Sequence, residues 1–420
     1  MGFLSRFFSQ FSRETFSSLH VRNYRLYYLG QIVSTSGTFM QNIAQAWLVL
    51  KLTNSGTALG ITTALQYLPI LFLGPYGGVI ADRISKRKIL YFTQSISGVL
   101  ALILGVLVAT GLVRVWMVYI LAFSLGMVNV FDNPTRQTFY MELVGQDNLR
   151  NAVTLYSTLV NLARIIGPAI AAAVIAAFGL APCFIINGIS FAAVVIMLAM
   201  LHADELYITP PVPSAKGQVW EGFKYVASMP VLGSTLLMMA IIGTLTYEFQ
   251  VSLPLIAQFT FKGDASSYAF LTAAMGVGAA FGGILFASRK GANPHKLTSA
   301  ALLFGLAVLA AAFMPILHLA ALAMVAVGIC SINFSSLGNS VLQLHSSPQM
   351  RGRVMSFWSV AFLGSTTIGG PIVGWFAGAA GARWGLALGG LAALLAAALG
   401  VFTLRRLPSA VPLADEERNK

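Results

Sequence analysis

Charged residues are scarce in this chain, and their scarcity argues against a soluble protein. Only 9% of the 420 residues are Asp, Glu, Lys or Arg, whereas 57% are hydrophobic and the mean hydropathy is +0.78. Soluble domains carry about 25% charged residues, so most of this chain is expected to lie in lipid. The net charge of +13 does not predict nucleic-acid binding, because the basic residues lie in short turns between apolar runs, where they orient membrane segments.

Cysteines and catalytic motifs are equally sparse. Cys183 and Cys330 both lie inside apolar segments, so they provide neither a disulfide framework nor a metal-binding spacing. We expect no metal and no cofactor. The sequence contains no H-E-x-x-H, Walker or G-x-S-x-G motif, so an enzyme and a nucleotide-driven pump are both disfavoured. The basic N-terminus has no long apolar core, and no cleaved signal peptide is expected.

Long apolar segments make up most of the chain. A membrane-spanning helix needs about 20 mostly apolar residues, and twelve segments meet this requirement. They cover approximately residues 24–50, 57–80, 88–111, 115–143, 151–178, 182–201, 231–257, 266–288, 296–317, 319–345, 353–379 and 383–404. The sequence therefore predicts an all-α polytopic membrane protein with 12 transmembrane helices.

The distribution of Lys and Arg predicts the orientation of these spans. Of the 26 basic residues, 21 fall in the ends and turns of one side, four fall on the other side, and Arg164 lies within a span. Positive residues are enriched on the cytoplasmic side of membrane proteins. We therefore expect a multi-pass protein of the cell (inner) membrane with both termini in the cytoplasm.

The two halves of the chain are built from one plan. Gly78–Arg87 has a counterpart 205 residues later in Gly283–Lys290, and a second motif recurs at an offset of 203: Gln146, Arg150, Ile165, Gly167 and Pro168 match Gln349, Arg353, Ile368, Gly370 and Pro371. Duplication of this kind is typical of membrane carriers. We predict an N-terminal six-helix bundle at 1–203, a cytoplasmic linker with an amphipathic segment at 204–230, and a pseudo-symmetric C-terminal bundle with a short cytoplasmic tail at 231–420.

Three stretches of the sequence resemble the major facilitator superfamily (MFS), and within it the 12-helix branch of drug and siderophore exporters, of the enterobactin-exporter-like type. Gly78–Arg87 resembles the loop G-x-x-x-D-R-x-G-R-R between the second and third spans, with Ser85 in place of the usual glycine. Residues 132–137 with 151–152 resemble the branch's fourth-to-fifth span region. Gly167-Pro168 resembles a Gly-Pro antiporter motif, although Ala171-Ala172 replaces its Gly-Gly. The resemblance implies the MFS fold and secondary active transport.

The first of these stretches predicts a conformational latch. Gly78 lets two helices touch, and Asp82 at a helix end is expected to accept hydrogen bonds from the N-terminus of a neighbouring helix. The resemblance implies that this neighbour is the eleventh span. Arg83 and Arg87 are expected to bind a carboxylate such as Glu142. The alternative is a basic loop that only sets topology.

Charges inside lipid are costly and therefore face a protein interior or a water-filled cavity. Asp132 and Arg136 are four residues apart and share a helix face, so they are expected to pair. Together with Arg164 they predict either a polar network that binds substrate or relays protons, or a static salt bridge. The pairs Gly167-Pro168 and Gly370-Pro371 are expected to bend helices and permit close packing.

Glu248 lies within the seventh span, about 27 Å from its start at 1.5 Å per residue, and no basic residue is near it in sequence. An unpaired carboxylate is costly to keep charged in the membrane, so Glu248 is the leading proton-coupling candidate. The alternative is an exposed glutamate at the outer mouth. Gln41, Asn42 and Gln45 of the first span are candidate cavity-lining residues.

These observations predict proton-coupled efflux of a small apolar or amphipathic compound by alternating access, as in an antiporter. The alternatives are export of a siderophore or another anionic metabolite, which would suit Arg136 and Arg164, uptake of a nutrient, and a membrane assembly or sensor protein without transport. The expected partners are a small-molecule substrate and membrane lipid. We expect a monomer, no nucleic acid and no cofactor besides the proton gradient.

Overall fold

Helices account for the regular structure of the computed structural model, which describes residues 16–208, 218–287, 293–347 and 349–405. For residues 75–83, 218–219, 287 and 404–405 it describes the backbone alone. The α-helices are α1 Arg22–Thr53, α2 Gly56–Arg83, α3 Lys86–Ala109, α4 Val115–Phe178, α5 Ala181–Ala199, α6 Gln218–Ser228, α7 Pro230–Leu245, α8 Phe249–Leu255, α9 Ala265–Ala287, α10 Pro294–Ala312, α11 Leu317–His345, α12 Arg351–Ser359, α13 Thr366–Ala380 and α14 Ala382–Arg405. Short 3₁₀ turns lie at Ser17–His20 and Ala203–Glu205, and π turns at Ile256–Thr260 and Val360–Gly364.

Each of the twelve predicted spans lies on helical structure, so the all-α polytopic prediction is confirmed. Within the described residues, ten helical stretches are long and apolar enough to cross a membrane. One of them, α4, contains two predicted spans. The first predicted span, which lies on α1, is not among the ten, because polar residues such as Gln31, Gln41 and Asn42 interrupt its apolar core. The protein is a multi-pass membrane protein.

The helical segment α4, 64 residues long, comprises the fourth and fifth predicted spans, which meet at a sharp break in place of the loop expected at 144–150. It continues through Pro134 and Pro168 and leaves helical geometry at Gly145, where φ is 71° and ψ is −177°. A positive φ is accessible to glycine at little cost because glycine has no Cβ. Gly145 therefore supplies the change of direction between the two spans.

The contacts group the residues into two compact units. The first runs up to Gln45 and includes Phe72–Ser214, and the second includes Ala46–Leu71 and the chain from Ala215 onward. The helical hairpin of residues 46–71 thus packs in the second unit, although it lies in the first half of the sequence. The predicted domains at 1–203, 204–230 and 231–420 remain a prediction about the repeat, and the contact-defined units differ from them at this hairpin.

The first unit has a core of tyrosine and aliphatic side chains where α1, α3, α4 and α5 meet. Tyr24 and Tyr27 of α1 are almost fully buried, and their rings lie 6.3 and 6.1 Å from that of Tyr140 on α4. The hydroxyl of Tyr24 donates to the main-chain oxygen of Ala152, 2.8 Å away. This core fixes the inner face of α4, on which the charged residues lie.

Two spans of the second unit are interrupted. The seventh consists of α7, a break at residues 246–248, α8 and a π turn, whereas the eleventh consists of α12, a π turn and α13. Irregular backbone inside a membrane is tolerated where it is buried in protein or lines a cavity. Interrupted spans often carry the binding sites of transporters. Glu248 lies at the break in the seventh span, so it is a candidate residue of such a site.

Candidate functional site

Asp132 is the centre of a polar cluster in the first unit. The residue is 1% exposed, and its Oδ1 accepts hydrogen bonds from Thr93 and Gln94 of α3, each at 2.7 Å. Its Oδ2 forms an ion pair with Arg136, one turn along α4. The predicted pairing of Asp132 with Arg136 is confirmed. Whether the pair has a transport role stays a prediction.

Further polar groups surround Arg136. Its Nη1 donates to Gln31 Oε1 at 3.3 Å and to the hydroxyl of Tyr156 at 3.4 Å. Several buried polar atoms have no hydrogen-bond partner in the described part of the chain, among them Tyr27 Oη, Tyr140 Oη, Gln31 Nε2, Gln94 Oε1 and Arg136 Nε. Buried polar groups are normally paired, so this cluster has spare donors and acceptors for water or a polar ligand.

The third predicted member of the network, Arg164, lies further along α4. Its Cζ is 5.9 Å from the ring centroid of Phe39 on α1, within the range of a cation–π contact. Gly167 packs against the same part of α1: a Cβ at Gly167 would lie 2.5 Å from that of Phe39 and 2.9 Å from the carbonyl oxygen of Ser36. Close packing at the Gly-Pro pair is thus observed, with glycine required at position 167.

The polar residues of α1 serve different purposes. Gln41 is 6% exposed, and its Oε1 accepts a hydrogen bond from Asn187 Nδ2 of α5 at 2.7 Å. This bond joins two helices of the first unit, so Gln41 has a structural partner that the cavity-lining prediction did not include. Gln45 is also buried, whereas Asn42 is half-buried. Cavity lining stays a prediction for Asn42 and Gln45.

The predicted latch needs one correction. Glu142 on α4 binds Lys86, with Nζ and Oε1 2.6 Å apart, and both side chains are largely buried. Arg87 instead donates to the main-chain oxygens of Leu198 and Ala199 at the end of α5, at 2.9 and 3.0 Å. The expected contact of Arg87 with Glu142 was therefore wrong, because the Arg87 guanidinium is held by the end of α5 and Lys86 occupies the carboxylate. The side chains of Gly78, Asp82 and Arg83 lie outside the described residues.

Glu248 lies at the break between α7 and α8 in the second unit. The residue is 2% exposed, which excludes the alternative of an exposed glutamate at the outer mouth. Its Oε1 has no hydrogen-bond partner in the described part of the chain. Its main-chain oxygen accepts hydrogen bonds from the amides of Val251 and Ser252 at 3.0 and 2.9 Å, so the start of α8 holds the residue in place.

The neighbours of the Glu248 carboxyl come from α2 and α13. The hydroxyl of Thr366 offers it a hydrogen bond, and the phenol of Tyr67 on α2 is close enough to interact with it electrostatically. A Cβ at Gly369 would lie 2.9 Å from Oε1, and one at Gly370 would lie 3.5 Å from Oε2. The carboxyl group therefore rests directly on the glycine backbone of α13.

Aromatic side chains pack around Tyr247, the residue that precedes Glu248 in the chain. The ring of Tyr247 lies 5.0 Å from that of Phe362, in the π turn before α13, and 5.4 Å from that of Phe304 on α10. Phe249 and Phe334 extend the group at centroid distances of 6.4 Å from Phe304. The site thus combines one buried acid with a mainly apolar surrounding, an arrangement that suits ligands with a large apolar surface.

The chain is similar to known transport proteins along most of its length. The family described as transmembrane secretion effector matches residues 13–419. The multidrug efflux pump Tap of Mycolicibacterium fortuitum is 25% identical over 83% of this chain and 88% of its own length. The enterobactin exporter EntS of Shigella boydii is 24% identical, with 84% of each protein covered. The staphyloferrin A transporter of Staphylococcus aureus is 29% identical, but the match spans 40% of this chain and 42% of that relative.

Solved structures show the same fold. A bacterial homologue of the human lysosomal transporter Spinster superposes with a TM-score of 0.72 at 16% identity, covering 92% of this chain and 99% of the other. The nucleoside transporter NupG superposes with a TM-score of 0.71 at 12% identity, covering 92% of this chain and all of its own. The matched proteins are transporters and not enzymes.

Proposed function

Because the chain belongs to the transmembrane secretion effector family of the major facilitator superfamily, we propose that it is a proton-coupled exporter of a small apolar or amphipathic compound. Its relatives include proteins named as an efflux pump and as an exporter. Transport would proceed by alternating access, in which a central site opens to one side of the membrane at a time. Entry of protons down their gradient would drive the compound outward.

The observation that supports proton coupling best is the buried Glu248 carboxyl. A charged carboxylate without a cation is expensive to keep inside a membrane protein, so the neutral form is favoured while the site is sealed. When water enters, the charged form becomes accessible. A group whose protonation follows its hydration is suited to couple proton movement to a conformational change.

Asp132 is the weaker of the two coupling candidates. Thr93, Gln94 and Arg136 all donate to it, so both of its carboxyl oxygens already have partners. We assign Asp132 and Arg136 a structural or substrate-binding role, and Glu248 the proton-coupling role.

An anionic substrate such as a siderophore is the second candidate. The observation that favours it is the set of unpaired polar atoms around Arg136, whose side chain is 20% exposed. A guanidinium group with nearby tyrosine hydroxyls suits carboxylates and phenolates, because both accept charge-assisted hydrogen bonds. The names of the staphyloferrin A and enterobactin transporters are compatible with such a substrate.

The orientation follows from the basic residues. We propose that the protein lies in the inner membrane as a monomer with both termini in the cytoplasm, since 21 of its 26 Lys and Arg residues fall on that side of the predicted spans. The turns at 53–56 and 260–265 then face outward. Labelling of single introduced cysteines at Lys51 and Lys224, which are expected on opposite sides, tests this orientation directly.

Transport in proteoliposomes tests the proposed function. The purified protein is reconstituted with an inward proton gradient, and efflux of a lipophilic cationic dye is compared with that of a catecholate or hydroxycarboxylate siderophore. Gradient-dependent movement of the dye supports the first candidate, and movement of the siderophore alone supports the second. Absence of flux for every compound in a broad screen would favour an assembly or sensor protein instead.

Substitution of the acids tests the coupling role. Glu248→Gln is expected to abolish gradient-driven efflux and to retain exchange of labelled for unlabelled substrate, because exchange needs no net proton transfer. Glu221→Gln is the matched control, since the Glu221 side chain is 65% exposed. Normal gradient-driven efflux by Glu248→Gln would show that the proton binds elsewhere.

A further inference from the structure

The linker helix α6 packs on the second unit through one of its faces. A Cβ at Gly222 would lie 3.1 Å from the Cβ of Arg353 and 3.1 Å from the ring of Phe357, both on α12. One turn further along α6, the hydroxyl of Tyr225 accepts a hydrogen bond from the main-chain amide of Ser347, 3.0 Å away. These two contacts hold α6 against the start of the eleventh span and the turn before it.

The opposite face of α6 carries large side chains that point away from these contacts. Trp220 and Phe223 are both more than half exposed, and their rings stack with centroids 5.6 Å apart and planes 11° apart. At 3.6 residues per turn, they lie about 160° around the helix from the packed face. The ammonium of Lys224 is 5.6 Å from the ring centroid of Trp220. These three side chains form a flat apolar surface with a cation beside it, the aromatic face of α6.

The position of α6 in the chain places this face at the surface of the membrane. The helix ends at Ser228, and the seventh span begins at Pro230. Met229 between them is extended, with φ −115° and ψ 100°, so α6 does not continue the span. The helix is thus attached at the end of the seventh span, the start of the eleventh and the turn after the tenth, which lie on one side of the predicted topology.

The size of the aromatic face favours lipid over a protein partner. The helix has 11 residues, so one face is about 16 Å long and about 10 Å wide. A stable protein interface buries about 800 Å² per partner, several times the area of this face. Lipid needs no such area, because the bilayer surface lies beside the helix. Tryptophan and other aromatic side chains are typical of helices that lie in this interface.

We propose that the aromatic face of α6 binds anionic phospholipid of the inner leaflet. The inference rests on the proposed orientation and on no property of the transported compound. The rings of Trp220 and Phe223 lie at the boundary between headgroups and acyl chains, where an apolar ring with a polar edge is stable. The ammonium of Lys224 reaches from the same face to the lipid phosphate, as long basic side chains do at membrane surfaces.

The charges around α6 select anionic headgroups over zwitterionic ones. Among the described side chains of α6 and α12, the basic residues are Lys224, Arg351 and Arg353, and the acid is Glu221. Glu221 and Arg353 form an ion pair. Lys224 and Arg351, which are both exposed, therefore give this region a positive charge. One lysine close to an anionic membrane surface strengthens binding about fivefold.

Quenching of tryptophan fluorescence by brominated lipid tests this inference in the full-length protein. The protein is placed in nanodiscs that contain equal amounts of phosphatidylglycerol and phosphatidylcholine, and the bromine is carried by one lipid or by the other. The share of Trp220 is the difference between the wild type and Trp220→Phe. We expect Trp220 to be quenched by both lipids, with contacts to phosphatidylglycerol about fivefold more frequent.

Substitution of single lysines tests the role of the cation. Lys224→Gln is expected to remove the preference for phosphatidylglycerol and to leave quenching by the two lipids equal. Lys262→Gln is the matched control: Lys262 is also exposed, but it follows the π turn at the other end of the seventh span, so the preference is expected to stay. High salt is expected to weaken the preference in the wild type, because it screens exposed charges.

Three results would overturn the inference. Absence of Trp220 quenching by either lipid would show that the aromatic face lies away from the bilayer, and disulfide cross-linking of the exposed position 227 between copies of an Ala227→Cys variant would then identify a second copy as its occupant. Equal quenching by both lipids in the wild type would exclude an anionic site. A preference that persists in Lys224→Gln would place the site elsewhere.

The lipid measurement is independent of the proposed function, since it uses neither a substrate nor a proton gradient. If the protein moves no substrate in proteoliposomes while Trp220 prefers phosphatidylglycerol, the lipid site stands and the transport proposal fails. If efflux is driven by the gradient while Trp220 shows no preference between the lipids, the transport proposal stands and the lipid site fails.

Discussion

A double-mutant cycle on Asp132 and Arg136 tests how the polar cluster of the first unit is stabilised. The two side chains form an ion pair within α4, and Asp132 is nearly inaccessible to solvent. The single variants are Asp132→Asn and Arg136→Gln, and the double variant carries both. Asparagine keeps an oxygen that can still accept from Thr93 and Gln94, so this substitution removes mainly the charge.

The expected magnitudes follow from the burial of each partner. Removal of one member of a buried pair costs about 3–5 kcal/mol because the other charge is left uncompensated. Arg136→Gln strands the buried Asp132 and belongs in this range. Asp132→Asn strands an arginine side chain that is 20% exposed, so partial solvation reduces the cost to about 2–3 kcal/mol. The double variant strands no charge and is expected to lose only about 1–3 kcal/mol.

The free energy of unfolding, measured by denaturant titration in mixed micelles, is the assay. The coupling energy between the two sites is expected to be at least about 2 kcal/mol. The control cycle uses Glu221, whose side chain is 65% exposed, and Arg353, whose Nη1 lies 2.7 Å from Glu221 Oε2; because one partner is well solvated, the expected coupling is about 0–1 kcal/mol. If the effects at Asp132 and Arg136 simply add, the pair does not stabilise the fold and the reasoning is refuted.

Three further predictions concern single contacts, each measured as a change in the same free energy of unfolding. Tyr24→Phe is expected to cost about 1 kcal/mol, since it removes the hydrogen bond to a main-chain oxygen. The Tyr27 hydroxyl lacks a partner in the described residues, so Tyr27→Phe is expected to change the free energy of unfolding by less than about 0.5 kcal/mol. Equal losses for the two variants would contradict this. Gly145→Ala is expected to cost about 1–2 kcal/mol because of its positive φ, and Gly378→Ala to be neutral or stabilising. Lys86→Gln is expected to cost about 2 kcal/mol because it strands a buried carboxylate, and a loss below about 0.5 kcal/mol would show that another cation replaces it.

The spans and their order were predictable from the sequence because apolar length alone specifies a membrane helix. The breaks within these spans were harder to predict from the sequence. Gly145 is one of 40 glycines, and its positive φ depends on how the fourth and fifth spans pack. The π turns at 256–260 and 360–364 leave no trace in hydropathy, because they change the hydrogen-bonding register without changing composition.

The candidate site was predictable to the extent that charge in lipid is unusual. Asp132, Arg136 and Glu248 were predicted because a charged residue in a membrane span is costly and is therefore commonly paired or functional. The tyrosines around Arg136 were missed, since aromatic residues in membrane helices commonly only pack. Lys86 was passed over as the partner of Glu142 because nothing in the sequence says which of several neighbouring cations reaches a carboxylate on another helix.

The membership of residues 46–71 in the second unit has a practical consequence for dissecting the protein. A fragment ending at residue 208 would carry Gly56 and Gly60 of α2 without α13, whose Gly370 and Gly374 pack against them. The complementary fragment would leave α13 uncovered. Separately expressed fragments are thus incomplete, and they should regain activity only by complementation within one cell. Chimaeras with a relative should exchange residues 46–71 together with the chain from residue 215 onward, so that each glycine keeps its native counterpart.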